Sequence, residues 1–243
     1  MSSFYQPDIF SYDFGTFLDR PNRFVAYVKY NNEIKRCHVP DPGRLKELLL
    51  PETKLLLRIP KNEKNYKTFA AVIGVQLSNN HWVSIDSQLA NRFVKHEWKN
   101  LPVLKEYNHL QSEYSLNKGS RLDFYLHSEN RSLKPCLVEV KTVTLHSPEN
   151  SGIGKFPDAP SLRASKHLKE LINATDQGYR TIVLFITPRI DIKEIRPNNK
   201  TDPRFTESLF KASEAGVELM AYNCHFDISG IKFNSEIPVN LII

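Results

Sequence analysis

Asp123, Glu139 and Lys141 are the residues whose types and spacing could do chemistry in this chain. The segment Arg121-Leu-Asp-Phe-Tyr-Leu126 alternates apolar and polar side chains, and Leu137-Val-Glu-Val-Lys-Thr-Val143 does the same. Successive side chains of a strand point to opposite faces. Leu122, Phe124 and Leu126 then share a core face, and Asp123 is presented on the other with Arg121 and Tyr125. In the second segment Val138 and Val140 share one face, while Glu139 and Lys141 share the opposite one. If the two strands are neighbours, two carboxylates and one ammonium converge on a single polar face of the sheet. Mg²⁺ takes hard oxygen ligands and keeps several waters, so two carboxylates suffice to hold it or Mn²⁺. Such a metal polarises a phosphodiester and lowers the pKa of a bound water. A neighbouring lysine orients that water or stabilises charge in the transition state. Glu113, in Gln111-Ser-Glu-Tyr114, is a candidate auxiliary carboxylate. The competing account is an ordinary cross-strand ion pair. Short motifs match freely by accident, and spacing alone favours that plainer account.

The elements that must position these residues fall into two textures. Before residue 86 the chain reads as short strands: Arg23 to Tyr30, Glu33 to Val39 after the Asn31-Asn32 turn, Lys54 to Ile59, Phe69 to Leu77, and Trp82 to Ile85. Pro40-Asp41-Pro42-Gly43 breaks the chain, and Arg44 to Leu50 reads as a short helix ended by Pro51. Five strands and one small helix suggest a small β-barrel, of which the OB type is the commonest that binds nucleic acid. After residue 86 strands alternate with helices, which indicates an α/β sandwich. Gln88 to Lys99 reads as a helix, and Arg121 to His127 and Cys136 to Thr144 as strands. A helix runs from the cap Ser161 to Asp176, stopped at Gly178, with Leu168, Leu171 and Ile172 as its core stripe. Thr181 to Thr187 is a buried-type strand, Phe205 to Ala215 a helix, and Val217 to Tyr222 a last core strand. Residues 146–160 read as an irregular connection near the upper length for one, which points to function or mobility. The expected division is 1–86 and 87–243.

Composition bounds the reading. The 243 residues carry a net charge of +6, with 40% hydrophobic and 25% charged side chains, as in globular proteins. A basic balance favours polyanion partners, because neutralised phosphates release counterions. Charge is spread evenly, with 12 basic and 9 acidic residues before position 87, and no basic tail. No apolar run is long enough to span a membrane. No signal peptide is visible at Met1 to Asp8, and Cys37, Cys136 and Cys224 form no CxxC pair. That argues against a zinc site and a disulfide framework, and fits a cytoplasmic protein.

Further along, the chain resembles the sugar fermentation stimulation protein A family over nearly its whole length. The resemblance rests on the order and spacing of several stretches: His38-Val-Pro-Asp-Pro-Gly-Arg44, Ala90-Asn-Arg-Phe93, Ser120-Arg-Leu-Asp123, Val138-Glu-Val-Lys-Thr-Val-Thr-Leu145, Phe156-Pro-Asp-Ala159, Arg163, Lys166-His-Leu-Lys-Glu-Leu171 and Gly216-Val-Glu-Leu-Met-Ala-Tyr222. It implies an N-terminal OB-like barrel and a C-terminal restriction-endonuclease-like domain of the PD-(D/E)xK type, so an α/β (α+β) chain. It also implies non-specific DNA binding and a regulatory connection to sugar use. On this chain the motif puts its acidic residues at Asp123 and Glu139, its lysine at Lys141 and an earlier acid at Glu113. Many members carry glutamine where this chain has Ser165.

Candidate nucleic-acid contacts are Arg20, Arg23, Arg44, Lys155, Arg163 and Lys166. The loop from His38 to Arg44 reads either as a phosphate-facing loop at a helix start or as a Pro-Gly turn whose Arg44 pairs with a carboxylate. Arg20, Arg23, Tyr66 and Trp82 could form a stacking surface, although Trp82 reads more readily as core. Lys155 would reach phosphate if residues 146–160 close over a bound strand; the alternative is a merely exposed loop. Three functions stay open: a Mg²⁺- or Mn²⁺-dependent nuclease, a non-catalytic DNA-binding regulator on a nuclease scaffold, and a protein-interaction module with an incidental basic charge. DNA and RNA, strandedness and oligomeric state are not separable from sequence.

Overall fold

The computed structural model describes residues 9–62, 66–117, 120–129, 132–147 and 152–242. The chain divides into two compact units. Of the described residues, the first takes in those up to Leu89 with Pro188–Ile190 and Cys224–Lys232, and the second holds the rest.

The first unit is a sheet in the order β3-β2-β1-β4-β5-β6, closed by a β3–β5 pairing at His38↔Ala71. Its strands are β1 (Phe10–Asn22), β2 (Val25–Tyr30), β3 (Glu33–His38), β4 (Lys54–Pro60), β5 (Ala71–Gln76) and β6 (Trp82–Ser84). The β1 strand, which the sequence reading passed over, is the longest and organises the barrel. Its first half pairs with β4 and its second half with β2, both antiparallel. Serving two neighbours requires a close crossing where the halves meet. Gly15 sits there, and a Cβ at that position would lie 2.5 Å from Val28 Cγ1. The β2–β3 hairpin turns at Asn31 and Asn32, with φ of 49° and 63°, as a tight two-residue hairpin requires. Val28, Cys37, Leu55, Leu57, Val72, Val75 and Val83 fill the interior. The expected helix from Arg44 to Leu50 is absent. Leu45 takes φ 50°, and one turn follows, closed by Leu48 and Leu49 N–H donating to the Leu45 carbonyl. Leu45, Leu48 and Leu49 join the barrel core, so burial of leucines rather than helix propensity sets this segment.

The second unit is built on a mixed six-stranded sheet in the order β14-β13-β11-β9-β8-β7, of whose β13–β14 segment residues Cys224–Lys232 are counted with the first unit. Its strands are β7 (His109–Asn117), β8 (Ser120–His127), β9 (Cys136–Thr142), β11 (Arg180–Thr187), β13 (Glu218–Asp227) and β14 (Gly230–Ile237). β9, β11 and β13 run parallel, while β7–β8 and β8–β9 are antiparallel. Parallel strands need crossovers. The helices α2 (Leu162–Asp176) and α3 (Pro203–Glu214) lie within those connections; α1 (Leu89–Glu97) precedes the sheet. Ser161 caps α2 by accepting from Ala164 N–H, and Asp202 caps α3 by accepting from Phe205 N–H. Gly178 and Gly216, at φ 91° and 90°, follow the two helices and let the chain reverse. Of the expected irregular connection 146–160, residues 148–151 lie outside the described residues, and the described part is not wholly irregular. It contains β10 (Ile153–Phe156), which pairs parallel with β12 (Glu194–Pro197). Nor is β13 the last strand, since β14 follows it. The core joins Leu137, Val183 and Phe185 of the sheet to Ala164, Leu168 and Leu171 of α2 and to Phe205 and Leu209 of α3. No helix among the described residues is long and apolar enough to cross a membrane.

Candidate active site

The β8–β9 register decides whether the three residues meet. Phe124 pairs with Val138, Tyr125 with Leu137 and Leu126 with Cys136. The next step of that ladder sets Asp123 against Glu139. There the Asp123 carboxylate takes over, and its Oδ2 accepts Val140 N–H at 2.8 Å. Its Oδ1 accepts from Asn91 Nδ2 of α1, also at 2.8 Å. Burial and the nearby Glu139 charge push the Asp123 carboxyl above its ordinary pKa, against the pull of Val140 N–H, Lys141 and Asn91.

Glu139 occupies the middle of β9, a strand buried on both faces. Its side chain is 3% accessible and that of Lys141 11%. Lys141 Nζ donates to Glu139 Oε1 at 2.6 Å, and His167 Nδ1, on the buried stripe of α2, meets the same oxygen. Glu139 Oε2 is also buried yet has no hydrogen-bond partner among the described residues. Burial pushes the Glu139 carboxyl up, but hydrogen bonds and charge from His167 and Lys141 outweigh it and hold the group below its ordinary pKa. Since Glu139 stays ionised, His167 donates from Nδ1. Arg163 Nε approaches the other ring nitrogen, Nε2, at 3.4 Å. The face carrying Glu139 is thus not the exposed polar face that alternation suggests. It also bears Leu137 and is packed against α2, so the carboxylate is a charged group set in core.

Asp123, Glu139 and Lys141 are therefore brought together, and Arg163 joins them through His167. Glu113 is not part of this group. Counting along the β7–β8 ladder puts it opposite Asp123, between Ser112↔Phe124 and Tyr114↔Leu122. Its side chain is 71% accessible and ion-paired with Arg121 at 3.1 Å. Among the described residues no three His, Cys, Asp or Glu side chains form a metal-holding group. Lys166 is exposed and pairs with Glu170 at 3.7 Å. Lys155, half-buried on β10, is in register with Arg196 of β12.

In the first unit Arg20 serves the fold. Its guanidinium donates to the carbonyls of Arg44 at 2.7 Å, Arg23 at 2.7 Å and Asp41 at 3.0 Å. These bonds pin the Pro40–Arg44 loop, so Arg20 acts as a backbone tie. They also gather Arg23 and Arg44, whose side chains are exposed. Arg44 does not begin a helix, so the phosphate-at-a-helix-start account of this loop fails. Trp82 stacks on Phe14 at 5.4 Å, half-buried, and Tyr66 is 51% exposed, edge-on to Phe10 at 6.5 Å.

Sequence reasoning missed two of the site's residues, His167 and Asn91. A histidine on the apolar stripe of α2 was the signal for the first. For Asn91 the signal was its place in the Ala90-Asn-Arg-Phe93 stretch that carries the family resemblance, with nothing in it to say where that short helix docks.

The fold and the site define a two-domain chain, an N-terminal OB domain followed by a restriction-endonuclease-like α+β domain with its Asp…Glu-x-Lys set assembled. Residues 18–85 match the SfsA N-terminal OB domain, and residues 87–230 match the sugar fermentation stimulation protein RE domain. The chain belongs to the sugar fermentation stimulation protein (SfsA) family. It is 40% identical over 227 residues to the sugar fermentation stimulation protein homolog of Clostridium tetani, covering 93% of this chain and 95% of that one. The Clostridium botulinum homolog is 39% identical over the same length and shares. Among solved structures it is similar to Pyrococcus furiosus SfsA in complex with Ca²⁺, with a TM-score of 0.82 and 27% identity, covering 99% of this chain and 100% of that one.

Proposed function

We propose that this chain binds DNA and hydrolyses phosphodiester bonds with a divalent cation held by Asp123 and Glu139. The observation that carries the reading is the partnerless Glu139 Oε2, buried next to a carboxyl that burial and like charge leave unfavourably ionised. A buried, unsatisfied carboxylate oxygen is costly, and a hard cation accounts for it. The Pyrococcus furiosus relative was solved with Ca²⁺, a cation of the same oxygen-seeking kind. The residues thus fit Mg²⁺ or Mn²⁺, which when bound would polarise the scissile phosphate and acidify a water.

The chain's own groups would do the rest. Val140 N–H and Asn91 hold the Asp123 carboxylate in place. His167 holds Glu139 from behind, and Lys141 lies beside both acids as a fixed positive charge for a phosphoryl oxygen. Arg23, Arg44, Lys155, Arg163 and Lys166 would supply sequence-independent phosphate contacts, with the connection to sugar use acting through nucleic acid.

A second reading is favoured by the absence of a three-acid group among the described residues: a DNA-binding regulator on a nuclease scaffold. The deciding experiment incubates purified protein with plasmid and single-stranded DNA, with and without Mg²⁺ or Mn²⁺, beside Asp123→Ala. Metal-dependent cleavage lost in the variant supports the nuclease. Binding without cleavage in both proteins supports the regulator.

A further inference from the structure

Helices α2 and α3 of the second unit enclose a cleft of about 400 Å³. A stripe of α2 that includes Leu162, Ser165 and Lys169 forms one wall, and Arg204, Ser208 and Lys211 of α3 form the other. These positions recur every three or four residues, so each set shares one face of its helix. Ser165 and His167 are two residues apart and project about 200° apart around α2. The cleft therefore opens away from the carboxylate cluster that His167 joins.

The charge of this cleft is one-sided. Lys166, Lys169, Arg204 and Lys211 line it against a single acid, Glu207. That acid is already engaged, since Lys211 Nζ donates to it at 2.6 Å. Lys211, with a smaller pull from the Lys169 charge, holds the Glu207 carboxyl below its ordinary pKa. Lys166 pairs with Glu170 at 3.7 Å. The Lys169 ammonium and the Arg204 guanidinium make neither a hydrogen bond nor an ion pair among the described residues. Arg204 also stands in the first turn of α3, where the helix dipole disfavours a cation unless an anion lies beside it.

The α2 wall adds a buried donor without an acceptor. Ser165 Oγ is shielded from solvent and has no hydrogen-bond partner among the described residues. The carbonyl four residues back, which a helical serine commonly uses, is not bonded by this hydroxyl. One turn earlier Leu162 is 74% exposed, and Ile172 is half-buried at the far end of the same wall. The cleft is thus apolar as well as cationic.

We propose that this cleft binds a small organic phosphate, a phosphomonoester carrying an apolar or aromatic body. A phosphate has enough oxygens to accept from the Arg204 guanidinium, the Lys169 ammonium and the Ser165 hydroxyl together. The attached body covers Leu162 and Ile172. The volume suits such a ligand, since small-molecule pockets begin at about 300 Å³. Because the cleft faces away from Asp123, Glu139 and Lys141, the site is independent of the nuclease reading.

Isothermal titration calorimetry tests it with inorganic phosphate, phenyl phosphate, adenosine monophosphate and adenosine. The proteins are wild type, Ser165→Ala, Lys169→Gln and Arg204→Gln, all in EDTA so that no metal at the carboxylate cluster contributes. Phenyl phosphate and adenosine monophosphate should bind wild type more tightly than inorganic phosphate does, and adenosine should give no signal. Lys169→Gln and Arg204→Gln, both at exposed positions, should each weaken binding by about tenfold, the lower figure for a hydrogen bond to a charged group. Ser165→Ala should weaken it as well without lowering the melting temperature, because the hydroxyl has no partner to lose. A DNA duplex followed by anisotropy should bind both charge variants as it binds wild type. Absence of binding by both phosphomonoesters, or binding unchanged in all three variants, would overturn the site. Loss of duplex affinity in the charge variants, with no phosphomonoester bound by wild type, would give the cleft to the DNA backbone instead.

Discussion

Val140 N–H donates to Asp123 Oδ2 at 2.8 Å, so a side chain on β8 occupies the place that a backbone carbonyl would take in a longer β8–β9 ladder. The acid is thereby fixed to the backbone of the strand that carries Glu139. The spacing between the two carboxylates follows from sheet geometry rather than from flexible side chains.

If that fixed pair holds a cation, Mg²⁺ or Mn²⁺ should raise the melting temperature of the wild-type protein. Ligand at 100 times its dissociation constant stabilises by about 2.7 kcal/mol. The shift should vanish in Asp123→Ala. A melting temperature indifferent to both metals would remove the cation from the proposed function.

Asp123→Ala should abolish cleavage while leaving DNA binding largely intact and sensitive to salt. Phosphate-dominated binding weakens steeply between about 50 and 200 mM salt. A filter-binding titration across that range checks it, and affinity unchanged by salt would count against phosphate contacts altogether.

His167→Ala should destabilise the second unit, because a hydrogen bond to a buried charge contributes about 1.5–3 kcal/mol. The sign with pH follows from the depressed Glu139 pKa. Its stabilisation is present above the ordinary carboxylate range and is lost as pH falls through the folded value. Removing His167 lets burial raise that value, so acid unfolding should begin at a higher pH. Circular dichroism from pH 7 to 3 would show it; identical acid midpoints would sink the His167–Glu139 coupling.

On the alkaline side, burial pushes the Cys37 thiol from 9.0 to about 11, the Cys136 thiol to about 12 and the Cys224 thiol higher still. A raised thiol pKa gives stability that is complete below the unfolded value and lost as pH rises toward the folded one. At roughly 1.4 kcal/mol per unit, the protein should weaken progressively between about pH 9 and 11. Urea midpoints measured across that window test this, with a flat profile as the contrary result. A thiol reagent at pH 8 should label none of the three cysteines until the chain unfolds, since all are buried.

Gly15→Ala should cost about 1–3 kcal/mol, as overpacking does. The new methyl would meet Val28 Cγ1 at 2.5 Å, Leu57 Cδ1 at 3.0 Å and the Lys29 carbonyl at 3.2 Å, and the backbone oxygen cannot rotate aside. A urea midpoint equal to wild type would show that β1 has room to shift.

What the sequence made legible was local. Alternation in Arg121–Leu126 and Leu137–Val143 put Asp123 with Tyr125 and Glu139 with Lys141, but gave the Glu139 face as polar where α2 in fact covers it, and Asn31-Asn32 marked a turn through its own backbone preference. The errors arose where distant chain decided the outcome. Leu45 and Leu48 resemble a helical stripe until the barrel that buries them is closed. Ile153–Phe156 has too short a pattern to stand out without its partner Glu194–Pro197, some 40 residues on. β1 was obscured because its Phe10, Tyr12 and Phe14 alternation is interrupted at Gly15, where the strand passes from one neighbour to the other. In the site, periodicity could say that Glu139 and Val138 face apart, but not that α2 would lay His167 over the acid. The tie made by Arg20 was not legible because a surface arginine and a loop-pinning arginine look alike until the carbonyls it serves are located.

Phe226 adds a consequence for how the chain can be divided. It belongs to the first unit, and its ring sits where a Cβ on Gly74 would lie 2.7 Å from Cε1. The barrel is thus completed by residues made some 150 positions later. Cutting the chain near residue 86 would release a fragment with an uncovered apolar notch at Gly74 and Leu56, not an autonomous OB module. During synthesis, too, the N-terminal unit must wait for nearly the whole chain to emerge before its last piece can dock.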